Sequence, residues 1–387
     1  MRVLHVMPSV APTFGGPRAA LVGFVRAAAL GGWDSTVVAP DPGPGERERL
    51  AADIDDVRFW APGRPWSCWR ALGPLVSTAD VVHVHGTLAP ASSTGAWRAI
   101  LAGRPLVVRP FGTLSRYTFA GRRPLLKRLY HGIVDAPALC RAGVVHFTTE
   151  AERDEALRLR AVDARRSHVV PPPWIPHPAA PGDSSEAGGA GWMPSATRDG
   201  DTVLFLARLD PKKGVERLLG AWPVVRQRRP GARLIIAGSG PARYRDRVES
   251  RAAALAAPGT GDRIEFTGFV TGSAKAALLA RADVFVLPSH AENFGVAVLE
   301  ALAAGLPVVV TPEVGLAGFV REHGLGRVTS ADPLALGCAL ADALGNAEMR
   351  ARCRTRGPSA VADVFGAEVV ARALGRMYEA ALAAGCP

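Results

Sequence analysis

Short apolar runs punctuate this chain. Most give way at once to a polar or glycine-rich turn and then to a stretch of helical period. In the first half the runs are Val3–Met7, Ser35–Ala39, Asp80–His85, Leu106–Arg109 and Ala142–Thr149, with His168–Val170 as a last short one. In the second half they are Thr202–Ala207, Arg233–Ala237, Ile264–Thr267, Val284–Leu287 and Pro307–Thr311. Apolar runs of this length, bounded by turn signals, predict strands buried on both faces, as in parallel sheets. Helical periodicity predicts crossovers over about Arg18–Leu30, Glu150–Leu159, Ala274–Arg281 and Phe294–Ala304, then over Ala317–Glu322, Leu334–Leu344 and Ala347–Arg356. A long amphipathic helix is expected over Ala367–Ala383. Asp41–Gly73, rich in Pro, Gly and charge, reads as irregular around one short strand, Val57–Trp60.

The chain has 387 residues, too many for one ordinary core. Composition changes from Pro171 to Gly200, where Pro, Gly, Ser and Ala dominate, which marks a linker. The expected division is residues 1–170, a linker over 171–200, a second domain over 201–365, and a final helix within 366–387.

Two features of composition bear on partners. The formal net charge is +11, which favours anionic ones: nucleotide phosphates, acidic lipid surfaces or nucleic acid. Nucleic acid is set aside, because no recognised binding module accompanies the charge. The five cysteines form no C-x-x-C pair and no zinc-type Cys/His spacing, so free thiols in a reducing compartment are expected and no metal site. No apolar run approaches the ~18 residues that cross a bilayer. The expected location is the cytoplasm, with attachment to the inner membrane face as the furthest departure.

The stretch Ala282–Gly315 carries the densest chemistry. Glu292 lies in a polar loop and Glu300 on the following helix, eight positions on. Between them, Asn293, Phe294 and Gly295 bring backbone N–H groups to the helix start, where unpaired donors and partial positive charge suit a phosphate or a polarised hydroxyl. The flanking carboxylates can accept hydrogen bonds from paired hydroxyls. A ligand anionic in the middle and polyhydroxylated at both ends fits, and a nucleoside-diphosphate sugar has that form. Upstream, Arg208 and Lys213 follow the strand Thr202–Ala207, two cations at the C-terminal edge of a parallel sheet and suited to a pyrophosphate. Gly240 lies in a further tight turn, Gly238–Pro241, and Phe269 in the turn after Ile264–Thr267.

These residues resemble a known family. Glu292-x7-Glu300, with its flanking Pro288-Ser289, Phe294-Gly295 and Ala303-Ala304-Gly305-Leu306-Pro307, is similar to the E-x7-E motif of retaining, GT-B-fold glycosyltransferases of family 4. Arg208-Leu209-x3-Lys213-Gly214 resembles that family's G-R-L-x-x-x-K-G, with Ala207 in place of the usual Gly. The resemblance implies an α/β, GT-B fold: two Rossmann-like domains facing across a cleft, with the C-terminal helix crossing back to the first. It implies transfer of a hexose from a nucleoside-diphosphate sugar, UDP- or GDP-linked, to an acceptor hydroxyl with retention. No cofactor or metal is then needed. Arg208 and Lys213 would bind the diphosphate, Glu292 would face the donor sugar and Glu300 the ribose. Asn293–Gly295 would offer backbone contacts to sugar and phosphate, and the Phe269 turn would lie against the base. Two alternatives stay open: a nucleotide-sugar C2 isomerase of the same fold, and a non-catalytic nucleotide-sugar-binding partner subunit.

The first half is thinner in motifs. Gly15 and Gly16 follow the first strand and allow close approach to a ligand; in the resembled family such a loop reaches donor or acceptor. In Asp80–His85, His83 reads as a core histidine and His85, at the strand's end, as a cleft residue. Family members often place a histidine after the strand Leu106–Arg109; this chain has Arg109 and the turn Pro110–Leu114, with Gly112 at its centre. Asp53-Ile54-Asp55 is read as a solvated turn. The segment Ser115–Tyr130 interleaves Arg116, Arg122, Arg123, Lys127 and Arg128 with Tyr117, Phe119, Leu125, Leu126, Leu129 and Tyr130. It suits an anionic membrane, an anionic acceptor or a solvated helix face. The acceptor is expected to be lipid-linked or a small natural product.

Overall fold

The computed structural model describes residues 1–11, 16–62, 66–121, 123–159, 162–175, 201–255 and 264–385. The chain divides into two compact units. The first comprises Met1–Ile175 and Val364–Pro387, the second Pro176–Asp363. Gly15, Arg122 and the bulk of the linker, 176–200, lie outside the described residues.

The first unit holds a sheet of seven strands: β1 Arg2–Val6, β2 Asp34–Pro40, β3 Asp56–Trp60, β4 Val81–His85, β5 Leu106–Arg109, β6 Val144–Phe147 and β7 Ser167–Val169. Their order is β3-β2-β1-β4-β5-β6-β7, and every pairing is parallel. Side chains alternate between the two faces, so residue parity decides which core each one joins. Leu4, Val6, Val82, Val84, Leu106, Val108, Val145 and Phe147 point to the face covered by Cys68, Leu72, Val76, Ala96, Ala99 and Leu139. Val3, Val81, Val107 and Val144 point to the other, against Phe24 of the helix Gly16–Leu30 and Val370, Leu374, Met377, Tyr378 and Ala381 of Ala367–Ala383. The apolar stripe of the final helix is thus buried on the first sheet, returning the chain's C-terminal segment to its first unit.

The second unit holds six parallel strands: β8 Thr202–Leu206, β9 Arg233–Ala237, β10 Ile264–Gly268, β11 Val284–Leu287, β12 Val308–Val310 and β13 Gly326–Val328. Their order is β10-β9-β8-β11-β12-β13. The chain moves outward from β8 in one direction and then from β11 in the other. The loops following β8 and β11 therefore emerge side by side where the winding reverses, the place at which open α/β sheets bind ligands. Both folds are Rossmann-like, giving a two-domain α/β chain.

Two stretches differ from the sequence expectation. Asp41–Gly73 is not irregular: it contains the helix Pro44–Ala51 and the start of Ser67–Thr78. Cys68, Leu72 and Val76, spaced by four, bury one face of the latter, a stripe that Gly73 and Pro74 obscure in the sequence. The helix from Ala347 runs to Phe365, through Gly357-Pro358. A Cβ on Gly357 would approach the Leu302 carbonyl oxygen to 2.5 Å, so this glycine permits close packing on a neighbouring helix. That packing outweighs the helix-breaking tendency of the pair.

Candidate functional site

In the second unit, the loops after β8 and β11 interlock. The His290 N–H donates to the Lys212 carbonyl at 2.8 Å. Gly214, at φ 76°, lets the backbone pass Pro288 so closely that a Cβ would lie 2.0 Å from the Pro288 carbonyl oxygen. Neighbouring loops tie in. The Leu209 N–H donates to Ser239 O at 2.8 Å and the Gly238 N–H to Gly268 O at 2.7 Å. A Cβ on Gly240 would fall 2.1 Å from Leu209 O. On the far side, the Glu292 N–H donates to Glu313 O at 2.9 Å and the Gly315 N–H to Glu292 O at 2.8 Å. The site is therefore a floor of knitted backbone at the C-terminal ends of five adjacent strands.

Two ion pairs stand on that floor. The Lys213 ammonium donates to Glu292 Oε2, and both side chains are largely shielded from solvent. Lys275 Nζ, from the helix Gly272–Arg281, donates to Glu300 Oε1 at 2.7 Å. Glu300 projects from the helix Val296–Ala303, whose N-cap is Gly295 at φ 98°. Gly295 supplies the left-handed turn but no capping side chain, and its carbonyl takes the Val298 N–H at 2.9 Å, so the N–H groups of Val296 and Ala297 are the helix-start donors that face a ligand. Phe294 is buried beneath this turn and Phe269 is half exposed. Arg208 is exposed, with no ion pair or hydrogen bond among the described residues. Lys212 is half-buried, and burial lowers its proton affinity.

The sequence reading missed two of these cations. Lys275 lies in the plain helical sequence Ala274-Lys275-Ala276-Ala277 and carries no motif; only its pairing with Glu300 marks it. Lys212 falls among the unspecified positions of Arg208-Leu209-x3-Lys213, so the motif points past it to Lys213.

In the first unit, the face that carries Val3, Val81, Val107 and Val144 also carries a polar seam. His5 pairs across β1–β4 with His83, and His85 across β4–β5 with Arg109; His146 lies on the same face. His5 Nδ1 lies 3.0 Å from His85 Nε2, His146 Nδ1 3.1 Å from His83 Nε2, and His83 Nδ1 3.0 Å from the Tyr378 hydroxyl. His85 does not reach solvent: it is buried and stacked on His83, because residues two apart in a strand share a face. Arg109 is also buried, its guanidinium lying over Phe24 at 4.5 Å and Phe111 at 4.1 Å, with Nε and Nη1 unpartnered among the described residues. Burial lowers its pKa to about 9, so it remains a cation at neutral pH. Burial, and then the Arg109 charge, lowers His5 to about 3; His83, His85 and His146 are likewise held neutral, chiefly by burial. Ring nitrogens of His5, His83 and His85 lie within 4.8 Å of one another, a metal-type grouping. The Arg109 field that disfavours a proton there disfavours a dication more strongly.

Two buried carboxylates brace the loops above this seam. Glu152 Oε1 accepts from the Gly112 N–H at 2.6 Å, and Oε2 from the Thr148 N–H at 2.8 Å and its hydroxyl at 2.7 Å. This fixes the turn in which Phe111 and Gly112 both take positive φ. Asp135 accepts from the Leu88 N–H and the Ser93 hydroxyl, each at 2.8 Å, and burial raises its pKa. The spacing Thr149-x-x-Glu152 is a capping-box signal that could have singled out Glu152. Thr149 does cap, accepting from the Glu152 N–H at 3.1 Å, while the Glu152 carboxylate turns to the Gly112 turn instead. Asp53 and Asp55 belong to no such cluster: Asp53 pairs with Arg26 at 2.9 Å and Asp55 is exposed.

Both halves of the chain are similar to known proteins. Residues 200–346 match the family described as glycosyl transferases group 1, and residues 15–173 match the glycosyl transferase 4-like domain. The phosphatidyl-myo-inositol mannosyltransferase of Mycobacterium tuberculosis is 37% identical over 195 residues, 49% of each chain. This chain thus spans about half the length of that relative. The 2-deoxystreptamine N-acetyl-D-glucosaminyltransferase of Streptomyces fradiae is 33% identical over 336 residues, covering 79% of this chain and 72% of the relative. Among solved structures, Anabaena Alr3699/HepE in complex with UDP and glucose aligns with a TM-score of 0.75 over 98% of this chain and 99% of that one. At 18% identity this likeness bears on the fold alone.

Proposed function

The chain belongs to the family 4-type glycosyltransferases of GT-B fold, and from that premise we propose that it moves a hexose from a nucleoside-diphosphate sugar to an acceptor hydroxyl with retention at the anomeric carbon. One observation carries the reading: Lys213 and Glu292, 79 positions apart, meet where the loops after β8 and β11 interlock. A cation for the diphosphate and a carboxylate for the sugar are thereby brought to one point at a strand-end ligand site.

In this mechanism Lys213 and Arg208 neutralise charge growing on the departing diphosphate, with the helix start at Val296 adding oriented N–H donors. The bond from the anomeric carbon to the diphosphate oxygen breaks. The acceptor oxygen forms its bond on the same face, and the acceptor's proton passes to a donor phosphate oxygen. Glu292 orients the sugar and Glu300, steadied by Lys275, accepts from the ribose hydroxyls. Asn293, Phe294 and Gly295 line the path between, and Gly240 and the Phe269 turn border the base. Gly16 belongs to the donor half of the reading, and Gly15 and Gly112 to the acceptor half; His85 and Arg109, buried against Phe111, support the Gly112 turn from below instead of meeting the acceptor. The donor is a UDP- or GDP-sugar, a class that cations for the diphosphate and carboxylates for the hydroxyls suit. The relatives' names support an acceptor that is a lipid-linked glycan or a small natural product. No metal or cofactor takes part.

The deciding experiment is a thermal-shift screen with UDP-, GDP-, dTDP- and ADP-sugars, with and without EDTA, followed by turnover assays. A ligand that binds only the folded state stabilises it by about 2.7 kcal/mol at a hundred times its Kd. One nucleotide class should raise the melting temperature, indifferent to EDTA, and Glu300→Ala should remove the shift. Full turnover in both Lys213→Ala and Glu292→Ala would defeat the assignment.

A further inference from the structure

The helical stretch from Pro124 to Arg141, which passes through a π-turn at His131–Asp135, has two faces of opposite character. Its inner face is pinned by polar contacts. The Tyr130 hydroxyl donates to Ser93 Oγ at 2.9 Å, Trp97 Nε1 donates to Val134 O at 3.2 Å, and Asp135 accepts from Leu88 and Ser93. Its outer face is apolar: Leu125 is 78% exposed, Leu126 56%, Leu129 60% and Ile133 65%. At about 100° per residue these four fall within an arc of roughly 100°. Single exposed aliphatics are ordinary on a protein surface, but a contiguous stripe marks a contact face.

The exposed charges of the segment itself are of one sign, and Glu155, from outside it, is turned to the Arg116 N–H at 2.8 Å. Arg116, Arg123, Arg128 and Arg141 are exposed, and Lys127 Nζ lies 2.8 Å from Thr118 O, tying the turn Arg116–Ala120 to the helix. Between residues 116 and 141 the one acidic side chain is Asp135, and it is buried and turned inward. A protein surface of ordinary mixed charge would meet no complementary partner here, whereas a layer of phosphates would. We propose that this face docks the chain on an anionic bilayer, with Leu125, Leu126, Leu129 and Ile133 entering the headgroup region and Arg123 and Arg128 pairing with lipid phosphates. Neither signal is strong alone; a small apolar insertion combined with a basic rim gives stable but reversible attachment. The docking does not depend on the transferase reading.

Flotation of the full chain with vesicles tests it, comparing phosphatidylcholine alone with phosphatidylcholine plus phosphatidylglycerol at about 0.1 M salt, where the screening length is about 10 Å. The protein should float with the anionic vesicles and stay behind with the neutral ones. Leu125→Asn combined with Leu129→Asn should lower the bound fraction about tenfold, and Arg123→Gln with Arg128→Gln should act in the same direction. Both double variants should keep the wild-type melting temperature and nucleotide-sugar shift, which separates loss of docking from loss of fold or donor site. Undiminished flotation of the leucine variant would overturn the proposal. So would failure of the wild type to float with anionic vesicles, or a wild-type dimer in sedimentation that the leucine variant abolishes, which would assign the face to a second copy of the chain.

Discussion

Lys213 and Glu292 neutralise one another, so each masks what the other can do. Replacing Glu292 with Gln leaves the ammonium without its carboxylate. Binding of UDP or GDP, read by calorimetry, should stay level or tighten a few-fold, while turnover falls about a hundredfold for want of sugar positioning. Lys213→Ala should weaken diphosphate binding by about ten- to a hundredfold, the worth of a hydrogen bond to a charged group. Opposite signs on binding from two neighbours would separate a mechanistic pair from a structural salt bridge, whose two deletions both destabilise. The histidine seam yields a prediction of another kind. His5, His83, His85 and His146 are held neutral in the fold, their proton affinities depressed below the unfolded value. Between the two values the unfolded state binds the more protons, so stability is complete above about pH 6.5 and falls as the pH drops below it, by about 1.4 kcal/mol per pH unit for each such histidine. For His5 the loss continues to about pH 3. Melting temperatures taken from about pH 7.5 to about pH 5.5 should fall steeply, and His5→Phe should make the slope shallower. A pH-independent melt would mean that the seam opens to solvent.

Elements were more legible than the contacts between them. The apolar strand runs identified almost every strand, since buried parallel strands need continuous apolar stretches and little else matches that pattern at such length. The E-x7-E stretch also stood out, because loop, helix and strand occur in a fixed order around it. Helices without a clean stripe were lost, as at Pro44–Ala51, where Leu50 is the one buried residue. Partners chosen by tertiary folding alone were lost too: Lys275 could pair with many carboxylates, and its choice of Glu300 is set by how two helices pack. His85 misled because a strand end reads as an exit from the core. Parity placed it beside His83 instead, which in turn meets Tyr378 of the final helix. The loops after β8 and β11 invite a test at this scale. Gly214→Ala puts a Cβ at positive φ against the Pro288 carbonyl. It should cost about 1–3 kcal/mol of stability and, by parting Lys213 from Glu292, should lower turnover more than it lowers the melting temperature would suggest. Equal loss in a distant destabilised variant such as Gly357→Ala, matched for stability, would remove that argument.

At the scale of the whole molecule, the decisive element is the helix Ala367–Ala383. It is the last helix in the chain, yet Val370, Leu374, Met377 and Tyr378 complete a core whose strands begin at Arg2. Tyr378→Phe removes the hydroxyl facing His83 Nδ1 and should cost about 1–3 kcal/mol through the buried nitrogen left unpaired, read as a shift in denaturant midpoint. A shift near zero would show that His83 finds another partner. The same arrangement has a consequence for synthesis. Domains ordinarily fold in the order in which they leave the ribosome, the N-terminal one first. Here that order is inverted, because the second unit is an uninterrupted segment, Pro176–Asp363, while the first needs Val364–Pro387 to close. During translation the first sheet must wait with the part of one apolar face that the final helix covers, His83 included, exposed until the second unit has been made. The N-terminal half of the protein is thus the last to be finished, and for that interval it is the part of the nascent chain most in need of a chaperone.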